Sequence, residues 1–205
     1  ETPLLISTKD IDGNGSVDPL IFTSQQNSKG EWDQYPAQFW DNLTQQSPYF
    51  RKEFTSYHAF SKANIDYYRE REFITKEESL QANLDVSLWV ENLGEGQFRI
   101  NPLPEALQLG PINDFLTLNE EGENTIFVIG NDFGGPPFEG NFDGFQGTLM
   151  NWDNKNRKWD IAPAQKSGFR VFKDAKEIGV VTLANNKKLI LVTQNQDRLL
   201  VFEKK

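Results

Sequence analysis

The chain of 205 residues contains no cysteine and only one histidine. The lack of cysteine excludes disulfide bonds, thiolate metal sites and a cysteine nucleophile, although it leaves the cellular compartment open. A catalytic triad or a zinc site needs partners that a single histidine rarely supplies. We therefore expect His58 to be a structural or surface residue.

Positive charge and long apolar runs are also scarce. Lys and Arg total 21 against 30 Asp and Glu, a formal net charge of −9. Because phosphate binding needs clustered basic side chains, we expect no nucleic-acid partner. No apolar run approaches the ~20 residues of a membrane-spanning helix, so we expect no membrane span. The chain starts at Glu1 without a signal segment, and we expect it to be a processed or excised fragment.

Repeated strand hairpins are the main signal in the rest of the chain. Residues 4–26, 112–132 and 178–194 each hold a short apolar run, a polar loop and a second apolar run. This pattern is typical of two antiparallel strands joined by a tight connection. Residues 88–102 and 149–163 have the pattern of a second hairpin, and residues 198–203 of one more strand.

Two hairpins in succession make a four-stranded unit of the size found in propeller blades. The sequence thus predicts an all-β fold, a β-propeller-like array of about three four-stranded antiparallel blades forming a partial propeller. The third blade has only about three strands. We expect a single propeller-like domain over residues 1–205. An ordinary β-sandwich with coincidental internal similarity is the alternative.

A small α-helical insertion interrupts the first blade at residues 36–75. Aromatic residues recur there at three- and four-residue spacing: Phe50, Phe54, Tyr57 and Phe60. This spacing indicates an amphipathic helical face. Pro48 and Asn64 are typical of helix boundaries and divide the insertion into two or three short helices.

The segment DIDGNGSVD at residues 10–18 places side-chain oxygens at every second position. Calcium takes six to eight oxygen ligands, and Gly13 and Gly15 allow the positive φ angles of a tightly wrapped loop. The expected ligands are the side chains of Asp10, Asp12, Asn14 and Asp18, with the Ser16 carbonyl and water. An Asx-rich turn without metal is the alternative.

The surrounding sequence argues against an EF-hand and against further ions. The twelfth loop position, which in an EF-hand is a bidentate Glu, is Ile21 within an apolar run. The corresponding loop of the second hairpin lacks the first and last carboxylates, so we expect a weak ion or none there. Its residues are Thr117, Asn119, Glu121, Glu123 and Thr125. Residues 184–188 carry no carboxylate, and we expect that loop to be empty.

The loop DIDGNGSVD and the apolar strand after it resemble the FG-GAP/VCBS repeat of integrin-like propellers. Residues 35–63, YPAQFWDNLTQQSPYFRKEFTSYHAFSKA, resemble the helical insertion of VCBS repeat-containing proteins from Bacteroidetes-type bacteria. Residues 98–116, 129–135 and 141–150 also match the pattern of those proteins, so the resemblance covers nearly the whole chain.

The resemblance implies a propeller fold and one calcium site at Asp10, Asp12, Asn14, Ser16 and Asp18. It also implies an exported protein at the bacterial cell surface or in the periplasm, often a lipoprotein. Because propellers of that family are longer, the chain resembles the C-terminal part of one. We then expect either self-association or continuation into further blades, since an open array leaves sheet edges unpaired.

The expected function is a non-catalytic module that mediates protein or glycan interaction. Among the five tryptophans, Trp32 and Trp40 precede or enter the insertion and are the predicted ligand contacts. Trp89 and Trp159 lie in strand patterns and are predicted to be core. The alternative is a hydrolase or an accessory protein in polysaccharide processing, which would need two carboxylates at hydrolytic spacing.

Overall fold

Antiparallel strands dominate the computed structural model, which describes residues 3–120, 123–137, 140–162 and 164–203. Strands account for 41% of the residues and helices for 15%, so the fold is mostly β, as the sequence predicts. The strands form four antiparallel sheets. The described residues form no closed barrel or propeller, and the propeller arrangement stays a prediction.

The chain divides into two compact units, Glu1–Asp85 and Val86–Lys205. The single propeller-like domain over residues 1–205 stays a prediction. The hairpin at residues 88–102 belongs to the second unit.

A four-stranded sheet forms the base of the first unit. Its strands are β1 (Leu4–Ser7), β2 (Leu20–Gln26), β3 (Trp32–Pro36) and β4 (Ser79–Ala82). The order is β3-β2-β1-β4, and each neighbouring pair is antiparallel. The predicted β1–β2 hairpin is confirmed. The prediction that residues 88–102 complete this sheet is wrong, because β3 and β4 occupy the two outer positions.

Four short helices lie between β3 and β4, within the predicted insertion. They are α1 (Trp40–Gln46), α2 (Pro48–Glu53), α3 (Tyr57–Phe60) and α4 (Ile65–Glu70). The side chains of Ser47, Ser56 and Asn64 cap α2, α3 and α4 by accepting backbone N–H bonds. Pro48 and Asn64 mark helix starts as predicted, and the cap at Ser56 adds a start that the aromatic periodicity conceals.

Aromatic side chains pack the insertion onto the sheet. Phe22 of β2 and Tyr68 of α4 are fully buried, and their ring centroids lie 5.1 Å apart in an edge-to-face arrangement. Phe50 and Phe54 belong to the same cluster. Since each buried aromatic ring removes roughly 150–250 Å² from water, the insertion supplies much of the core of the first unit.

The described residues of the second unit form three sheets. Its strands are β5 (Leu88–Gly94), β6 (Gln97–Pro102), β7 (Ile112–Glu120), β8 (Glu123–Gly130), β9 (Thr148–Asp153), β10 (Lys158–Ala162), β11 (Ala175–Thr182), β12 (Lys188–Gln194) and β13 (Leu200–Glu203). A 3-10 turn (Glu105–Leu107) precedes β7, and α5 (Ala164–Ser167) follows β10. The orders are β5-β6, β10-β9-β8-β7 and β11-β12-β13. The sequence predicts a group of four strands followed by a group of three strands in this part of the chain. Both groups are confirmed as sheets.

Both faces of the four-stranded sheet in the second unit carry apolar clusters. Successive strand residues point to opposite faces, so neighbouring residues of β8 join different clusters. Phe127 packs with Phe169 and Val192 on one face. Val128 packs with Met150 and Phe145 on the other. Sheets that are apolar on both faces are suited to face-to-face stacking.

No helix in the described part of the chain has both the length and the apolar character needed to cross a bilayer.

Candidate functional site

The connection between β1 and β2, residues 10–18, is called the acidic loop below. Oxygen atoms of Asp10, Asp12 and Asp18 lie within 4.8 Å of one another. The backbone of the loop turns tightly at Gly13 and Gly15, whose φ angles are 73° and 87°. A Cβ at either glycine would meet nothing within 4 Å, so these positions need glycine for backbone conformation and not for space.

Backbone N–H groups of the acidic loop converge on Asp10. Its Oδ1 accepts from Gly13 and Asn14 at 2.8 and 3.1 Å, and its Oδ2 accepts from Gly15 at 2.8 Å. An ionised carboxylate offers about four lone-pair sites. Asp10 can therefore hold the wrapped backbone and still offer an oxygen to a cation.

Asp18 closes the base of the acidic loop. It is 2% exposed, and its Oδ2 accepts from the Ile11 N–H at 2.9 Å. Its own N–H donates to the Lys9 carbonyl at 2.9 Å. The buried carboxylate therefore sits where the two strands diverge, directed into the loop.

Asp12 connects the acidic loop to the helical insertion. Its Oδ2 accepts from the fully buried Ser47 hydroxyl at 2.5 Å, and its Oδ1 accepts from the Asn14 N–H at 3.2 Å. The nearby Lys9 ammonium donates instead to the Glu72 carbonyl at 2.6 Å. Within the described ranges, no ion pair involves Asp10, Asp12 or Asp18.

The two remaining predicted ligands also lie in the acidic loop. The Asn14 side-chain oxygen accepts from the Ser16 N–H at 2.8 Å, and both residues are exposed. The structure thus gathers three of the predicted ligands as a carboxylate group and leaves Asn14 and Ser16 beside it at the open side of the loop.

The described positions of the second hairpin that correspond to the acidic loop lie in paired strands. Thr117 pairs with Ile126, and Asn119 pairs with Asn124. Thr125 also lies within β8. The predicted position Glu121 lies outside the described residues.

The two predicted ligand contacts, Trp32 and Trp40, differ in exposure. Trp32 of β3 is 70% exposed. Trp40 is half-buried at the start of α1, and its ring packs edge-to-face with Tyr57 at 4.8 Å. The Tyr57 hydroxyl donates to the Asp41 carboxylate, which raises the pKa of Tyr57. The contacts of Trp40 stabilise the insertion, and Trp32 alone of the two presents a free ring.

Three other tryptophans form a cluster in the second unit that sequence reasoning missed. Trp89 of β5, Trp152 of β9 and Trp159 of β10 have ring centroids 4.9 to 5.9 Å apart, all edge-to-face. They line a cleft of about 480 Å³ together with Glu91, Asn154 and Arg157. This feature is called the tryptophan cleft below. The predicted core placement of Trp89 and Trp159 holds only in part, because both are half-buried.

A sequence signal for part of the tryptophan cleft exists. Trp152 and Trp159 flank a four-residue turn at equal distance and are directly opposite in the β9–β10 register. Opposite residues of an antiparallel pair share a face, so the two rings must be neighbours. Trp89 arrives from a separate sheet and carries no such signal.

No protein-family model and no curated protein matches the chain. The geometry of the acidic loop and of the surrounding strands is therefore the basis for a functional proposal.

Proposed function

We propose that the chain is a non-catalytic, calcium-binding β-propeller module that mediates protein or glycan interaction at a bacterial cell surface. The observation that carries this proposal is the convergence of three carboxylates within 4.8 Å in a loop between two paired strands. Calcium would fix this loop and thereby the first hairpin, while other surfaces of the chain make the interaction.

Charge repulsion supports an ion at the acidic loop. Two carboxylates separated by less than 5 Å repel by about 1 to 3 kcal/mol, depending on the local dielectric. No ion pair in the described residues offsets this repulsion for Asp10, Asp12 and Asp18. A divalent cation would convert the repulsion into attraction.

The donor chemistry favours calcium over transition metals. Every candidate ligand is an oxygen, from carboxylates, the Asn14 amide or the Ser16 carbonyl, and hard cations prefer oxygen. Part of the ligand set is exposed, which suits the weak binding of about 10⁻⁴–10⁻³ M typical of extracellular modules. That range fits a protein exposed to external calcium.

Sheet geometry supports the propeller part of the proposal. A four-stranded and a three-stranded antiparallel sheet follow each other in sequence and share an apolar cluster between their faces. Propellers repeat such sheets radially around a channel. The resemblance of residues 10–18 and 35–63 to FG-GAP/VCBS repeats favours the same arrangement and a surface location.

The test is calcium-dependent melting of the wild type against Asp12→Asn. With a dissociation constant near 10⁻⁴ M, 10 mM calcium would stabilise the native state by about 2.7 kcal/mol, and the melting temperature of the wild type should rise by several degrees. Asp12→Asn keeps the shape of the side chain but removes a charge, and it should lose most of the shift. Asp85→Asn, an exposed carboxylate of the same unit, is the matched control. An equal shift in wild type and Asp12→Asn, or none in either, would refute the site.

A further inference from the structure

The tryptophan cleft lies entirely within the second unit, between the β5–β6 hairpin and the β9–β10 edge of the four-stranded sheet. Trp152 and Trp159 form one wall from adjacent strands, and Trp89 meets both from the hairpin. Rings in mutual edge-to-face contact hold each other in place. The cleft therefore has preformed aromatic walls.

Polar groups of three kinds surround these walls. The Glu91 carboxylate accepts from Arg99 at 2.9 Å, and Arg157 lies 3.6 Å from its other oxygen. The Arg157 side chain is 67% exposed and this contact is long, so most of its five N–H donors remain open. Asn154 adds an amide that can both donate and accept.

The turn that carries Asn154 and Arg157 is held in one conformation. Asp153 accepts from the N–H groups of Lys155 and Asn156 at 2.8 and 3.1 Å. The Asn156 side chain also donates to Asp153 at 2.6 Å, which holds the pKa of that carboxyl below its usual value. Preorganised polar groups lose less entropy when a ligand binds.

We propose that the tryptophan cleft binds a saccharide, with a sugar ring against the indole faces and its hydroxyl groups bonded to Glu91, Asn154 and Arg157. This inference names the ligand class and the site of the interaction role proposed above, and it rests on that role. A cleft of about 480 Å³ with aromatic walls and a few convergent polar groups is typical of a small-molecule site.

Charge and polarity at the rim select a saccharide over other ligands. A cation would meet Arg99 and Arg157, and a simple anion would meet the Glu91 carboxylate. A purely apolar ligand would leave these polar groups desolvated and unpaired, which is costly. Sugar hydroxyls both donate and accept, so they can bond to the Glu91 carboxylate, the Arg157 guanidinium and the Asn154 amide at once. The C–H face of the sugar ring contacts the indole rings.

The experiment is a titration of the intact chain with soluble oligosaccharides, followed by tryptophan fluorescence and isothermal calorimetry. The panel is cellotetraose, maltotetraose, xylotetraose, mannotetraose and trigalacturonate, so neutral and acidic sugars are separate arms. We expect saturable binding of at least one member. Trp152→Ala should weaken it at least tenfold, and Arg157→Ala or Asn154→Ala several-fold.

Controls keep the result interpretable. Arg157 and Asn154 are exposed turn residues, so their variants test the site even where Trp152→Ala fails to fold. Phe172→Ala, an exposed aromatic of the same unit outside the cleft, should bind as the wild type does. Binding that survives Trp152→Ala and Arg157→Ala, or no binding by any member of the panel, would overturn the proposal.

The calcium proposal is judged separately, because the acidic loop and the tryptophan cleft belong to different units. Saccharide binding without calcium-dependent melting would uphold the cleft and refute the calcium site. Calcium-dependent melting without saccharide binding would do the reverse.

Discussion

The Ser47 hydroxyl donates to the Asp12 carboxylate at 2.5 Å, across a sequence separation of 35 residues. The same Ser47 oxygen accepts from the Tyr49 N–H and so caps helix α2. One buried side chain thus joins the start of a helix to a proposed calcium ligand. Ordering of the acidic loop and ordering of the insertion should therefore be coupled.

Ser47→Ala tests this coupling when it is compared with a variant that loses only a helix cap. Loss of an N-cap costs about 0.5–2 kcal/mol, and the Asp12 carboxylate also loses a donor. We expect a lower melting temperature and a smaller calcium-induced shift. Ser56→Ala is the matched control, since Ser56 caps α3 through the Ala59 N–H. It should lower stability yet keep the full calcium shift, and equal calcium shifts in both variants would contradict the coupling.

Alanine at Gly13 or Gly15 should weaken the acidic loop through backbone conformation alone. Both residues have positive φ and open space at the Cβ position, so each substitution should cost about 1 kcal/mol from strain. The calcium affinity measured by titration should fall as well. Gly179→Ala is the control, because Gly179 has the same open space without a positive φ. A neutral Gly15→Ala would show that the loop changes conformation in solution.

Local sequence signals predicted the hairpins. The elements that they did not predict, such as strand β4, depend on packing between distant segments. The β1–β2, β7–β8 and β11–β12 hairpins each lie within one short segment, where alternation and turn residues are visible. Strand β4 is four residues long and largely exposed. It pairs with β1, although most of the sequence of the first unit separates the two strands. Its sequence SLQA carries no strong strand pattern, so only the edge that β1 offers explains it.

The same distinction holds for the two sites. All five predicted ligands of the acidic loop lie within nine residues, so the convergence of the Asp10, Asp12 and Asp18 carboxylates could be predicted from spacing and glycine positions. Ser47 could not, because its contact with Asp12 depends on how the insertion packs. The tryptophan cleft needs Trp89 from a separate sheet, and strand patterns do not specify which sheets face each other.

Asn131 should be essential for the stability of the second unit. It is fully buried with φ 81°, its Oδ1 accepts from the Phe145 N–H at 3.0 Å, and its Nδ2 donates to the Phe145 carbonyl at 2.6 Å. Asn131→Gly keeps the backbone conformation but leaves both backbone groups unpaired, which should cost about 3 kcal/mol in urea unfolding. Asn131→Ala should cost about 1 kcal/mol more from strain.

Asn186→Ala measures the cost of placing alanine at a positive φ angle, for comparison with the variants of Asn131. Asn186 has φ 63° in an exposed turn, so its replacement should cost only about 1 kcal/mol. Similar losses for Asn131→Gly and Asn186→Ala would show that the side-chain bonds of Asn131 contribute little.

Alkaline pH should destabilise the helical insertion through Tyr67. Burial, and next the hydrogen bond that the Tyr67 hydroxyl donates to Glu53 at 2.5 Å, raise the pKa of Tyr67 to about 12 from its ordinary 10. Because the pKa is higher in the folded state, the native state favours the protonated phenol. This contribution is complete below pH 10 and is lost as the pH rises from 10 to 12.

The measurement is the free energy of unfolding in urea between pH 9 and 12. Tyr67→Phe should be less stable than the wild type at pH 9, and its stability should fall less steeply above pH 10, so the two curves converge. Tyr35→Phe removes the hydroxyl of a β3 residue and is the control for the loss of a phenol other than the one bonded to Glu53. Parallel curves for Tyr67→Phe and the wild type would show that the phenol titrates alike in the folded and unfolded chain, which the short bond to Glu53 argues against.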